Sequence, residues 1–120
     1  MAEINSYRDL IAWQKSYSLG KSVYVLAGQL PEVERFGLIA SLRRLSVLIA
    51  SHIAQGYGRG NTTDYIYFLK QARGELYTLD TQLLFALDFK YIAETEYKRV
   101  KSELDESEHV LAGLIRSLER

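Results

Sequence analysis

The sequence predicts an all-α protein, an antiparallel up-down four-helix bundle, on three observations. Apolar residues recur at steps of three and four, and no segment alternates apolar and polar residues for long. A single proline, Pro31, interrupts the chain, and glycines cluster only at Gly56, Gly58 and Gly60. Four periodic segments of about 25 residues are joined by connections short enough to make consecutive helices antiparallel neighbours.

The first helix is predicted over 7–28. Ser6 with Asp9 three residues on reads as a capping box, and Leu30-Pro31 disfavours helical geometry just before the ring. The second, over 32–55, is expected to stop at Gly56 as a left-handed cap. Asn61 or Thr62 caps a third, over 62–88, with Asp64 in its first turn. The fourth, over 94–118, begins where Ile92 and Tyr97 can form a hydrophobic staple. Tyr65, Leu69, Ala72, Leu76, Leu79, Leu83 and Ala86 form one stripe of the third helix, with steps of four and three. Val100, Leu104, Ser107, Leu111 and Leu114 do the same in the fourth. All 120 residues read as one domain, the size a single hydrophobic core supports.

Composition excludes several classes. With 48% hydrophobic residues and no net charge, the chain is not disordered, and it carries no uniformly basic coat. It has no cysteine, which removes disulfides, thiolate metal sites and thiol catalysis. Met1 to Asn5 carries an acid and no apolar run, so no signal peptide is expected there. The longest uncharged stretch, Leu45 to Gly58, is too short and too polar at its end to span a bilayer. A cytoplasmic location is expected.

Helix two breaks the simple pattern. Leu38, Leu42, Leu45, Ile49 and Ile53 make one stripe, while Phe36, Ile39, Val47, Ala50 and Ala54 fall roughly opposite. A helix apolar on two sides is buried on two sides, so Phe36, Val47, Ala50 and Ala54 are expected to form an oligomer interface. Nine tyrosines support such a contact, being suited to surfaces part dry and part wet.

Catalytic chemistry is sparse. Glu106-x-x-His109 matches a di-iron spacing once, but both residues sit off the Leu104/Leu111 stripe and should face water. No acid occurs between Arg35 and Thr63, so His52 lacks a local partner, and Ser51 beside it points about 100° away on a helix. The loop from Gly56 to Gly60 leads into a helix start but lacks the preceding strand of nucleotide-binding loops. No metal or cofactor is expected, and no enzyme, because no acid–base pair or nucleophile converges.

Charge gives a direction. Residues 1–60 hold seven basic and four acidic residues, and 61–120 hold eight and eleven. Arg44 lies on the polar face of helix two with Ser51 and Gln55, whereas Arg43 lies on its second apolar face. A guanidinium there needs a carboxylate, and Glu75 or Asp80 is predicted to supply a structural ion pair.

The ordered motifs Asp9-Leu10-x-Ala12-Trp13-Gln14-Lys15, Pro31-x-x-Glu34-x-Phe36-Gly37-Leu38, Leu42-Arg43-Arg44 and Ile53-Ala54-Gln55-Gly56-x-Gly58-Arg59 carry a resemblance, continued by Phe68-Leu69-x-x-Ala72-x-Gly74 and Leu79-Asp80-Thr81-Gln82-Leu83. From about Tyr7 to Leu118 the chain resembles the four helix bundle proteins encoded in intervening sequences of bacterial 23S ribosomal RNA genes, sometimes described as S23 ribosomal proteins. That family has no established enzymatic activity. Its members are similar to the accessory variability protein of diversity-generating retroelements, a pentameric barrel that binds a reverse transcriptase and nucleic acid. The resemblance implies a homo-oligomer, with a pentamer as first choice, and RNA or DNA as a partner.

The chain departs from that pattern in two places. Where the family commonly reads Ser-Ile-Pro-Ser-Asn-Ile-Ala-Glu-Gly, this chain has Ala50, His52 and Gln55 for the proline, asparagine and glutamate. Where it reads Gly-Ser-x-x-Glu-Leu-Glu-Thr-Gln, this chain has Glu75 for the serine and Thr78 for the first glutamate. The expected function is a non-catalytic homo-oligomeric bundle associated with RNA through a rim bearing Arg44 and Arg59. The alternative is a protein–protein interaction or adaptor module without nucleic-acid binding.

Overall fold

The computed structural model describes residues 3–120. Four α-helices carry the fold: α1 (Ile11–Ala27), α2 (Leu38–Gly58), α3 (Thr62–Asp88) and α4 (Glu94–Leu118). Among the described residues there is no strand. α1 packs on α2, α2 on α3, α3 on α4, and α4 closes back on α1. The molecule measures 43 × 25 × 21 Å. Its long dimension matches the roughly 38 Å of a 25-residue helix, so the helices lie side by side.

The last two helices keep the bounds expected of them, and the first two do not. Ser6 and Asp9 form their cap, but around a single 3₁₀ turn, Tyr7–Asp9. The Ser6 hydroxyl accepts from the Arg8 amide at 3.1 Å and the Asp9 carboxylate accepts from the Asn5 and Ser6 amides. Leu10 is then extended, with its side chain buried, and α1 begins one residue later. Gln14 covers the carbonyl exposed at this step, donating to Arg8 O at 2.8 Å.

The start of α2 also moves inward. Glu32–Glu34 form a 3₁₀ turn after Pro31, Gly37 leaves helical geometry, and α2 starts at Leu38. Glu34 explains the delay: one carboxylate oxygen accepts from the Leu38 amide at 3.1 Å and the other from the Tyr91 hydroxyl at 3.1 Å. One side chain thus caps α2 and ties it to the α3–α4 connection. At its far end α2 runs through Gly56, and the left-handed residue is Gly60, φ +80°. Gly56 serves a close approach instead, since a Cβ there would come 2.8 Å from Phe68 Cβ on α3.

Asn61 caps α3, accepting from the Asp64 amide at 2.9 Å, and Glu96 caps α4, accepting from the Ala93 amide at 3.0 Å. The core is drawn from every helix: Leu19 and Val23, Leu42 and Ile49, Leu76 and Leu83, Leu104 and Leu111 are essentially inaccessible. Each such side chain contributes roughly 1.5–3 kcal/mol on burial. In α4 the buried position after Leu111 is Ile115, and Leu114 is only half-buried. A strict three–four alternation drifts around a straight helix of 3.6 residues per turn, and Ile115 takes up the slack.

Candidate interaction surface on α1 and α2

Steps of four, four and three carry Trp13, Tyr17, Lys21 and Tyr24 along one side of α1. Their rings and cations meet in sequence. Tyr7 stands edge-on to Trp13 at 5.3 Å, and Trp13 stacks on Tyr17 at 4.8 Å with their planes 13° apart. Lys21 Nζ lies 4.7 Å from the Tyr17 ring centre, and the Arg43 guanidinium 4.6 Å from that of Tyr24. Beside this row runs a groove of about 320 Å³, walled on the α2 side by Ser46, Val47, Ser51 and Ala54. Among the described residues no acid lines it. Its floor is a close crossing, where a methyl group at Gly20 would overlap the Ser46 carbonyl.

Arg43 lies on the face the helical wheel gives it but lacks the ion pair predicted there. Its Nε donates to the Tyr24 carbonyl at 3.2 Å, and neither Glu75 nor Asp80 reaches it. Glu75 binds His52 instead, 2.8 Å from Nδ1, in a largely shielded pair on the α2–α3 seam. Asp80 accepts from the Tyr97 hydroxyl at 3.0 Å and from Lys101 at 3.1 Å, linking α3 to α4. Hydrogen bonds to Asp105 and Asp80 hold the Lys101 ammonium above the ordinary lysine range, against the opposing effect of burial. The wheel shows that Arg43 opposes the Leu42/Ile49 stripe; it does not show that α1, with no acid of its own, is the helix on that side.

The four residues expected at an oligomer interface do not share one face. Phe36 precedes α2, outside the Gly37 break, and is 88% exposed. Val47 is exposed and Ala54 half-buried, both on the groove. Ala50 is buried within the subunit, at 6% exposure, so it offers no surface to a partner. Near the Glu34–Tyr91 contact, Val33, Phe36 and Phe89 are all exposed.

Arg44 is exposed, with no carboxylate within reach among the described residues. Arg59 sits 3.9 Å from Asp64 and lies over the Phe68 ring, so part of its charge is already used. Glu106 pairs with Lys15, and His109 is exposed. Among the described residues no three His, Asp or Glu side chains gather as a metal site would require. Nor, among them, is any helix long and apolar enough to cross a membrane.

Over residues 8–113 the chain matches the family described as 23S rRNA-intervening sequence protein. The chain belongs to this family. No curated protein matches it. The 23S rRNA-intervening sequence protein match spans α1 to α3 and most of α4, and with them every residue lining the groove but Tyr7. The structure gives two departures from the motif pattern a common meaning. His52 and Glu75, standing for the asparagine and serine of the pattern, are partners in one contact. His52 has no local partner in the sequence because its partner is 23 residues away, on the next helix. The row of Trp13, Tyr17, Lys21 and Tyr24 is a site that sequence reading missed, although its four–four–three spacing is a usable signal.

Proposed function

We propose that this chain is a non-catalytic, homo-oligomeric helical-bundle protein that associates with RNA through its cation-bearing α1–α2 side. The observation that carries the reading is that α1 and α2 carry cations and no acid. Among the described residues Arg8, Lys21, Arg43 and Arg44 have no carboxylate within ion-pairing distance, and neither α1 nor α2 contains an acid. A chain of zero net charge still attracts phosphate where its cations collect locally. Oligomerisation is supported by the exposed Val33, Phe36 and Phe89, an apolar surface of the kind that marks an interaction site. A ring would repeat the cationic side and make weak phosphate contacts act together.

Light scattering with size exclusion should give a multiple of the subunit mass, five being the first choice, and Phe36→Asp should dissociate it. A monomer at roughly tens of micromolar would sink the assembly reading. An RNA gel shift should weaken steeply between about 50 and 200 mM salt. Substituting Arg44→Ala and Arg59→Ala together should weaken it, mostly through Arg44, because Arg59 already leans on Asp64. No shift even at low salt would favour the adaptor reading, which the neutral overall charge supports.

A further inference from the structure

The rings of Trp13, Tyr17 and Tyr24 follow one another along about 16 Å of α1, given the rise of a helix. Tyr17 and Tyr24 are about half exposed, at 48% and 45%, and each carries a cation on its ring. Proteins that hold single strands without reading sequence combine these same parts, aromatic platforms set into a cationic groove. We infer that the α1–α2 groove is a binding site for single-stranded nucleic acid, in which bases stack on Tyr17 and Tyr24 while Lys21 and Arg43 turn to the phosphates. The inference rests on the RNA reading above and deepens it from a charged side to a defined track.

Magnitudes decide whether a base can take the place of a cation already on the ring. A cation over an exposed ring favours the contact by about two- to fivefold. A base stacked on the same ring favours it by about five- to 150-fold. The base wins the ring, and the displaced ammonium or guanidinium is left beside the strand it must neutralise. Val47 and Ala54 offer the bases apolar walls, and the Ser46 and Ser51 hydroxyls already donate to the Leu42 and Val47 carbonyls, so stacking sets the preference more than base-edge contacts do. A duplex keeps its bases stacked on one another and meets only the cations. Single strands should therefore gain from the aromatic row and duplexes should not.

The test uses the full chain and a labelled polyuridine RNA of about ten nucleotides, with duplex RNA of equal length beside it. Anisotropy reports binding, and Trp13, the only tryptophan, reports contact with the row through its fluorescence. Polyuridine should quench Trp13. Tyr24→Ala should weaken polyuridine binding about tenfold and leave duplex binding within about twofold, while Tyr24→Phe, which keeps the ring, should bind as the parent does. Tyr17→Ala gives an independent second variant, and Lys21→Gln should lower the salt slope by about one. Equal losses for both RNAs would overturn the groove and leave the charged side standing. No binding of either RNA at low salt would remove both proposals. A changed assembly mass in Tyr24→Ala with unchanged RNA binding would make the groove a contact between copies, which also overturns the inference.

Discussion

On α3 and α4, Lys70 reaches Glu119, Lys98 reaches Glu94, Arg99 reaches Glu103, and Lys101 bridges Asp80 and Asp105. On the α1–α2 side, Arg43 rests on a backbone carbonyl and a tyrosine ring, Lys21 on another ring, and Arg44 on nothing charged. The two halves hold similar numbers of cations, seven and eight, and differ in what surrounds them. In the second half eleven acids lie among the cations, and Asp80 with Lys101 helps join two helices. In the first half α1 and α2 meet through small residues and apolar contacts, and Lys21, Arg43 and Arg44 have no carboxylate partner among the described residues. The acids of the helices sit on α3 and α4, and α1 and α2 carry none.

The largest test strikes the uncharged seam. Gly20→Ala should destabilise the fold by about 3 kcal/mol, because the added methyl meets the Ser46 carbonyl, which α2 cannot withdraw without losing its own packing. Gly74→Ala is the control. It lies in α3, where an added methyl would meet nothing within 4 Å, and should stabilise by about 0.5–1 kcal/mol through helix propensity. Urea unfolding measures both. A small loss at Gly20 would mean that α1 and α2 do not depend on this crossing.

The next test strikes the charged seam. Asp80→Ala removes the acceptor of both Tyr97 and Lys101 in a partly shielded site and should cost about 2 kcal/mol. Arg43→Ala should cost about 1 kcal/mol, the worth of one hydrogen bond and an exposed cation–ring contact. An ion pair with Glu75 or Asp80 would have made Arg43 worth several kcal/mol. Thermal melts that rank Arg43 above Asp80 would reverse the contrast between the two halves.

The same contrast explains what is legible in the sequence. The bounds of α3 and α4 can be read because an asparagine cap, a glutamate cap and a single apolar stripe are local signals. The bounds of the first two helices depend on signals that are not local. Glu34 caps α2 while its other oxygen accepts from Tyr91, 57 residues on. Gly56 resembles a stop because its neighbour Phe68 on α3 cannot be seen from α2 alone. Likewise a wheel shows that Arg43 faces away from Ile49, but not which helix receives it. The aromatic row is legible in spacing and is hidden by tyrosines scattered over the whole chain.

Ser107 offers a gain in place of a loss. It occupies an apolar position of α4, is fully buried, and its hydroxyl has no partner among the described residues. Ser107→Ala removes a desolvated polar group without opening a large cavity and should stabilise by about 1 kcal/mol. A loss of stability in urea would indicate that the hydroxyl is satisfied in solution.

The smallest effect is absent at neutral pH. Burial, with the neighbouring Tyr57 phenol as a lesser cause, pushes the Tyr65 hydroxyl from its ordinary value of 10 up to about 12. Below pH 10 both the folded and the unfolded chain keep this proton, and the stabilising contribution is whole. Between about pH 10 and 12 the unfolded chain loses the proton while the folded one retains it, so stability falls as pH rises. Lys101, also raised, acts in the same direction at the α3–α4 seam, because its bridge to Asp80 and Asp105 is lost once the ammonium deprotonates. Tyr65 is half-buried, and solvent screening keeps its share small. Tyr65→Phe preserves the edge-on contact with Tyr57 and removes the titration, so its urea midpoint should decline less steeply than the parent's above pH 10. Parallel declines would assign the alkaline loss to the other raised groups, Lys101 and the phenols of Tyr77, Tyr91 and Tyr97.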